Sequence, residues 1–401
     1  MNYDKFLSRG VKTIQPSGIR RFFDVANIYK DVISLGVGEP DFDTPWSARE
    51  SAVKSIRKGY TQYTSNSGMP SLRKNICRYL AERFDVKYNV DKEIFVTVGA
   101  SEAIDLAIRA IVDVGDEIVI PQPSYVSYCP CVTLCGGVCV AAECKVENNF
   151  SLMPEDLERV ISKKTKALIL PYPNNPTGAI MTRTQLEKIA AIAIKHDILI
   201  ISDEIYSELT YGEKHVSIAS LDNMWERTIL INGFSKAFAM TGWRVGYVCA
   251  PNALLSQMLK IHQYVIMCAP TASQYCADEA LERGFVDNFT TIVEMREQYD
   301  MRRRFLVKEL NDMGLATFEP KGAFYVFPCV ASLGMDGETF ATKLLEEERV
   351  AVVPGEAFSV IGKNFVRISY AYSIASLQAA MKKIRSFVER HNVKKIEAIN
   401  D

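Results

Sequence analysis

The chain has 401 residues, 48% hydrophobic and 24% charged, with 47 Lys+Arg set against 48 Asp+Glu for a formal net charge of −1. That length is too great for one simple core and predicts two or three domains. The near-cancellation of charge argues against a global pull toward nucleic acid or an anionic membrane, so neither is expected as a partner.

From the amino end, Met1–Gly10 is polar and mixed in charge, unlike a signal peptide, and the apolar runs Ala167–Leu170 and Ile198–Ile201 are far too short to span a bilayer. A cytoplasmic protein is expected. Residues 1–45 carry little regular signal apart from the helical stretch Ser17–Tyr29. From Ile94 to Ala250, short β-branched runs alternate with helical patterns. The strand candidates are Ile94–Val98, Glu117–Ile120, Val138–Ala142, Ala167–Leu170, Ile198–Ser202, Thr228–Ile231 and Val245–Cys249. Most are apolar without alternation, as strands covered on both faces must be. Helical patterns such as Ser101–Val112 and Thr184–Lys195 fall between them, which predicts an α/β domain on a largely parallel sheet. The loop Ser235–Trp243 is too short for a crossover helix, so the last strand should run antiparallel to its neighbour.

Beyond Val286 the pattern changes to a charged helix (Glu294–Leu310), Phe324–Phe327, a helix (Gly337–Glu348), a strand (Phe365–Tyr370) and a closing helix (Ile374–Arg390). This reads as a smaller α+β domain. The expected division is a large domain over residues 46–285 and a small one from residues 1–45 and 286–401. Ten cysteines include a cluster at Cys129, Cys131, Cys135, Cys139 and Cys144, but no pair of CxxC elements and no nearby histidine. They read as reduced, small hydrophobes, and no metal site is expected.

In open α/β sheets ligands collect at the carboxyl ends of the strands, and the residues that follow each run are polar. Gly99-Ala100-Ser101 opens a helix, where small residues let an anion approach backbone N–H groups; Ser101 would serve equally as an ordinary N-cap. No GxxxxGK[ST] is present, and Gly36-Val37-Gly38 does not continue as a dinucleotide fingerprint. Asp203 ends a buried run, where a carboxylate needs a cation, hydrogen-bond donors or a capping role, and Tyr206 follows it in the same turn. Lys236 lies among Phe234 and Phe238, a setting that disfavours its ammonium form and favours a nucleophilic amine, although a lone lysine is more often structural. Arg244 follows on Thr241-Gly242-Trp243 and could hold a phosphate with two hydrogen bonds. Pro173-Asn174-Asn175-Pro176-Thr177-Gly178 fixes an amide at the sheet edge, and Pro123-Ser124-Tyr125 offers an aromatic face. Arg367, inside an apolar strand, needs an anion such as a substrate carboxylate.

Gly99-Ala100-Ser101, Tyr125, Asn174-Asn175-Pro176-Thr177-Gly178, Asp203-Glu204-Ile205-Tyr206, Ser235-Lys236, Arg244 and Arg367 occur together in one order. In this the chain resembles the fold-type-I pyridoxal-phosphate aminotransferases, and more narrowly the class I branch with bacterial and archaeal aspartate and aromatic aminotransferases. Leu35 to Phe42 and Ala237 to Gly246 fit the same branch, and the likeness runs from Ser17 to Val388. The resemblance implies a mostly parallel seven-stranded sheet flanked by helices, with a small α+β domain made from both chain ends. It implies pyridoxal 5′-phosphate as cofactor, carried as a Schiff base on Lys236, which then shuttles the proton of the substrate α-carbon. By the same resemblance Asp203 pairs with the ring nitrogen, Tyr206 and Asn175 bond the ring oxygen, and Tyr125 stacks on the ring. Gly99, Ala100, Ser101, Ser235 and Arg244 surround the phosphate. Arg367, Asn175 and the Gly38 backbone bind the substrate carboxylate. Tyr63 matches a tyrosine that reaches the neighbouring subunit's phosphate, which implies a homodimer with shared active sites. Many relatives carry serine where this chain has Gly233, one phosphate hydroxyl fewer.

The activity so implied is transfer of an amino group between an aromatic or aspartate-like L-amino acid and a 2-oxo acid, 2-oxoglutarate first. A carbon–sulfur β-lyase of the same fold is the alternative, and a non-catalytic regulator is disfavoured because Lys236 and Asp203 are intact. Arg20, Arg21 and Arg109 are candidate second cations for a distal carboxylate, Arg109 falling in a helix where a structural role is expected. Ile19, Phe22 and Phe23 lie close to Arg20, so this segment could support either substrate type, the aromatic one slightly favoured.

Overall fold

The computed structural model describes residues 1–16, 18–19 and 31–400. The helical stretch read at Ser17–Tyr29 therefore lies outside the described residues apart from Gly18 and Ile19. In chain order the strands are β1 (Ile33–Ser34), β2 (Ile94–Thr97), β3 (Glu117–Gln122), β4 (Val138–Glu143), β5 (Thr165–Leu170), β6 (Leu199–Asp203), β7 (Thr228–Gly233), β8 (Gly246–Cys249), β9 (Tyr325–Val326), β10 (Val350–Ala351), β11 (Val353–Pro354) and β12 (Val366–Ser369). A seven-stranded sheet has the order β2-β8-β7-β6-β5-β3-β4. The pairs β3·β4, β3·β5, β5·β6 and β6·β7 are parallel, and β8 is antiparallel to both β2 and β7. The expected α/β class, the seven strands and the reversed last strand are all present.

The sequence periodicity translates directly into burial. Strands β2, β7 and β8 are buried at every position, because helices cover both sheet faces. The edge strand β4 is mostly exposed or half-buried, as an outer strand can be. Helix Gly99–Ile111 lays Ala103, Ile104, Ala107 and Ile108 against Ile118, Ile201 and Ile231 of the sheet. Helix Arg183–Lys195 is started by a reciprocal capping box between Thr182 and Gln185. The closing helix runs further than the sequence pattern indicated, over Ile374–Asn400.

A second apolar core gathers around the sheet β11-β12-β9, with Leu306, Phe324, Phe340, Ile368 and Phe387 at its centre. The amino-terminal segment joins this core through β1, which pairs in parallel with β10. Among the described residues no helix is long and apolar enough to cross a membrane, and no group of three His, Cys, Asp or Glu side chains is placed to hold a metal.

The segment after β6 is anchored by charge as well as by packing. Glu208 is 4% exposed and accepts from Tyr79 Oη at 2.7 Å and from Arg83 Nε at 2.9 Å and Nη2 at 2.6 Å. Removing the cation leaves a buried carboxylate uncompensated. Arg83→Ala is expected to destabilise the fold by about 3–5 kcal/mol, and Glu208→Gln in the same chain to recover a large part of that. Denaturant unfolding followed by circular dichroism measures both.

Candidate active site

Six strands of the large sheet run one way and β8 runs back. The carboxyl ends of β2, β3, β5, β6 and β7 therefore share an edge with the amino end of β8. A cavity of about 530 Å³ lies along that edge. Of the residues assigned above to the cofactor or the substrate carboxylate, all but Gly99 and Tyr63 line it. Gly99 sits behind its wall, and Tyr63 is 79% exposed on the surface.

One end of the cavity suits an anion. The helix begins at Gly99, two residues earlier than the sequence pattern suggested, with φ +74°. Val98 occupies the cap position without a side-chain bond. Ser101 is thus not the N-cap. Glu102 folds back instead, accepting from Val98 N at 2.5 Å while contacting His262 Nδ1 at 2.7 Å. Ser101 and Ala100 are left in the first turn, lining the cavity together with Ser235. Arg244 lies opposite in the left-handed region, φ +54°, and its Nη1 donates to Thr241 O at 2.9 Å. A Cβ on Gly99 would stand 2.7 Å from Arg244 Nη2, so conformation and space both require glycine there. A helix amino terminus facing a guanidinium is an arrangement for phosphate.

Gly233 has a structural explanation. It pairs in register with Gly246, and a Cβ on it would meet Gly246 Cα at 2.9 Å. Gly246 in turn passes beneath the helix start, where a Cβ would fall 2.6 Å from Ala100 N. A side chain at position 233 has no room unless these strands shift.

The centre of the cavity holds Lys236, Asp203 and Tyr206. Lys236 Nζ donates to Gly38 O at 2.6 Å. Burial lowers its pKa to about 8, against the opposing pull of Glu39, with Arg367 and Arg244 lowering it further. Asp203 is 6% exposed. It accepts from Tyr128 Oη at 2.7 Å and, in a tight turn rather than a helix cap, from Ile205 N at 3.2 Å. Burial raises its pKa and the Tyr128 hydrogen bond opposes the rise. No cation lies within 4.0 Å of it among the described residues.

At the other end, Arg367 is 3% exposed. Its Nη1 donates to Asn175 Oδ1 at 2.9 Å and its Nη2 to Gly36 O, while Nε has no hydrogen-bond partner among the described residues. Its guanidinium lies 4.5 Å from the Tyr325 ring centroid and 4.9 Å from that of Phe358. The turn that presents Asn175 is held by Asn174 Oδ1, which accepts from Thr177 N and Oγ1. Tyr206 Oη is 2.9 Å from Tyr325 Oη. Tyr125 lines the wall, edge-on to Tyr128 at 5.6 Å.

Sequence reasoning passed over Tyr128, Tyr325 and Glu39. Tyr128 had a signal, its three-residue spacing from Tyr125, whereas Tyr325 sits in an apolar run that reads as core. Of the candidate second cations, Arg109 bonds Asp105 at 2.6 Å on the outer part of its helix, away from the cavity. Arg20, Arg21, Phe22 and Phe23 lie outside the described residues, while Ile19 lines the cavity.

These residues fit pyridoxal phosphate: an anion corner at the helix start, a buried carboxylate short of a cation, and a lysine with a depressed pKa share one cavity. A family model described as aminotransferase class I and II matches residues 30–384, and the chain belongs to that family, whose members are pyridoxal-phosphate-dependent. It is 49% identical to a putative aminotransferase, YugH, of Bacillus subtilis over 96% of this chain and 99% of the relative. It is 45% identical to an aspartate aminotransferase of Pyrococcus abyssi over 94% of this chain and 97% of the relative. The solved aromatic aminotransferase of Pyrococcus horikoshii superposes with a TM-score of 0.88 at 43% identity, covering 92% of this chain and 99% of that one.

Tyr128→Phe removes a donor that holds the Asp203 carboxyl down. The acid limb of the kcat/KM–pH profile is expected to move to higher pH by up to about one unit. Gly233→Ser, which puts back the side chain many relatives carry, is expected to lower thermal stability instead of tightening cofactor binding; melting and cofactor titration of the same preparation check it.

Proposed function

We propose that the protein transfers the amino group of an L-amino acid with an aromatic or large apolar side chain to 2-oxoglutarate, with Lys236 as the residue that attaches the cofactor and moves the substrate proton. The observation that carries this is the pairing, in one cavity, of Lys236 with the buried Arg367, an amine close to neutral beside a carboxylate-binding guanidinium. The cavity cations among the described residues are Lys236, Arg244 and Arg367, and Ile19, Val37 and Val126 supply apolar wall. Each of those cations has a task, and the apolar wall beside them suits an aromatic or large apolar side chain. The likeness to the aromatic aminotransferase supports the choice of substrate. For 2-oxoglutarate, Arg20 and Arg21, next in sequence to Ile19, are the candidate distal cations.

Ala100, Ser101, Ser235, Arg244 and the helix start at Gly99 would hold the cofactor phosphate. Asp203 would face the ring nitrogen, Tyr206 and Asn175 the ring oxygen, and Tyr125 a ring face. When bound, pyridoxal phosphate supplies the electron sink that lets the substrate α-carbon release its proton. Arg367 orients the substrate through its carboxylate, with Asn175 fixing the guanidinium plane. Lys236 then has its Nζ free to take up and return that proton, because burial and two arginines disfavour its permanent charge. The apolar wall keeps water from the reacting carbon.

A homodimer with shared sites completes the reading. It is supported by the surface position of Tyr63, beside the helix Asn252–Val265 and the loop after it, where Tyr264 is 87% and Val265 70% exposed. That loop meets the Tyr63 segment through Asn66 Nδ2, which donates to Met267 O at 2.8 Å. Residues 46–285 are read as the large unit, and 1–45 with 286–401 as the small one, supported by the separate core around β11-β12-β9. The ten cysteines, all free, support a reducing, cytoplasmic setting.

Adding phenylalanine or tyrosine alone to the pyridoxal-phosphate-loaded protein should change its visible absorption, and initial rates across an amino-acid panel with 2-oxoglutarate should place these above aspartate; aspartate on top would overturn the substrate assignment. Lys236→Ala is expected to slow the half-reaction by about 10²–10⁴-fold. Capture of pyridoxal phosphate by the apoprotein should accelerate through about pH 8 and then level off, as followed by stopped-flow absorbance. Tyr63→Ala should weaken cofactor binding although Tyr63 does not line the cavity of its own chain.

A further inference from the structure

Tyr325 is 1% exposed, lines the cavity, and touches both ends of the proposed chemistry. Its hydroxyl is 2.9 Å from that of Tyr206, and its ring lies 4.5 Å beneath the Arg367 guanidinium. Backbone pairing sets these positions. Tyr325 stands opposite Ser369 in the β9–β12 ladder, which places Arg367 diagonally from it on the same sheet face. The chain opposite leaves space for its oxygen alone, since a Cβ on Gly38 would come within 2.3 Å of Tyr325 Oη.

Two hydroxyls 2.9 Å apart make one hydrogen bond, in which one donates and the other accepts. A positive charge over the ring face makes Tyr325 the stronger acid of the two and therefore the better donor. Burial pushes both phenols up, and Arg367 opposes that rise most directly at Tyr325. If Tyr325 donates, the Tyr206 proton is turned toward the cavity.

We propose that Tyr325 is a positioning residue serving two partners: its hydroxyl donates to Tyr206 Oη and so aims the Tyr206 proton at the cofactor ring oxygen, while its ring seats the Arg367 guanidinium for the substrate carboxylate. This rests on the pyridoxal-phosphate site proposed above. A donor strengthened by a second hydrogen bond favours the anionic ring oxygen more than an isolated phenol does. The hydroxyl of Tyr325 thus acts on the cofactor's proton affinity without touching the cofactor.

The test is a pH titration of the visible absorption of the pyridoxal-phosphate-loaded protein in three variants, with KM and kcat measured alongside. Tyr206→Phe should raise the midpoint by about one to two units. Tyr325→Phe should raise it by a few tenths, about 0.2–0.5, and the double variant no further than Tyr206→Phe alone. An unmoved midpoint in Tyr325→Phe beside a shifted Tyr206→Phe overturns the proposal and leaves the site assignment standing. Additive shifts in the double variant also overturn it, because the two hydroxyls would then act separately. No shift in Tyr206→Phe overturns the site assignment and the proposal together. For the ring, Tyr325→Leu should raise the KM for the amino donor by about tenfold with a smaller change in kcat, whereas Tyr325→Phe should hold KM within about twofold; equal KM values in the two variants overturn the ring's role. The Phe variant deletes one oxygen, so it keeps the test decisive should the Leu variant not fold.

Discussion

The ammonium of Lys236 shares one cavity with the guanidinium groups of Arg244 and Arg367, and the rest of the site is arranged around that crowding. Burial alone disfavours the charged amine, and two like charges add to the effect, bringing its pKa to about 8. The same positive surroundings attract anions at both ends of the cavity. Arg244 faces the helix start, and Arg367 is fixed by Asn175 and Gly36. Asp203 lines the same cavity, with Tyr128 as its hydroxyl donor. A cofactor bearing a phosphate and a basic ring nitrogen answers these demands together, and a substrate carboxylate answers the remaining one.

The strand topology is what allows a single edge to hold so many polar groups. Each buried strand delivers its next residue to the same side of the sheet, and β8, running back, brings Arg244 to that side from the opposite direction. The backbone pays no penalty for this, since its own hydrogen bonds are satisfied within the sheet. Glycines at 99, 233 and 246 permit the close approach of strand, helix start and arginine that the phosphate corner needs.

Much of this was legible from sequence for physical reasons. Runs such as Ile229–Ile231 are apolar throughout because helices cover both faces, and polar residues directly after such runs stand out against them. Asp203, Lys236 and Asn175 were visible in that way. Tyr325 was not, because a tyrosine within Phe324–Phe327 satisfies the pattern of a buried strand equally well, and its partner Tyr206 is 119 positions away. The cap alternative for Ser101 arose because a serine before a helical pattern resembles a cap. Here Glu102 takes over the Val98 amide, a choice that depends on His262 arriving from a distant helix. The closing helix was read only as far as Arg390, although Val393, Ile396 and Ile399 carry an apolar spacing beyond it.

The pairing of β1 with β10 bears on how this chain can be trimmed or fused. Ile33 N donates to Arg349 O and Leu35 N to Ala351 O, both at 2.8 Å, while Ser369 N donates to Leu35 O at 2.8 Å. The segment that starts the described chain after residue 30 is thus stitched into the carboxyl-terminal half, two residues from the carbonyl that holds Arg367. A shortened version beginning beyond Gly36 would strip β10 of its neighbour and the arginine of its acceptor. In engineering terms the amino-terminal segment belongs with the arginine proposed to hold the substrate, and tags belong ahead of it, not in its place.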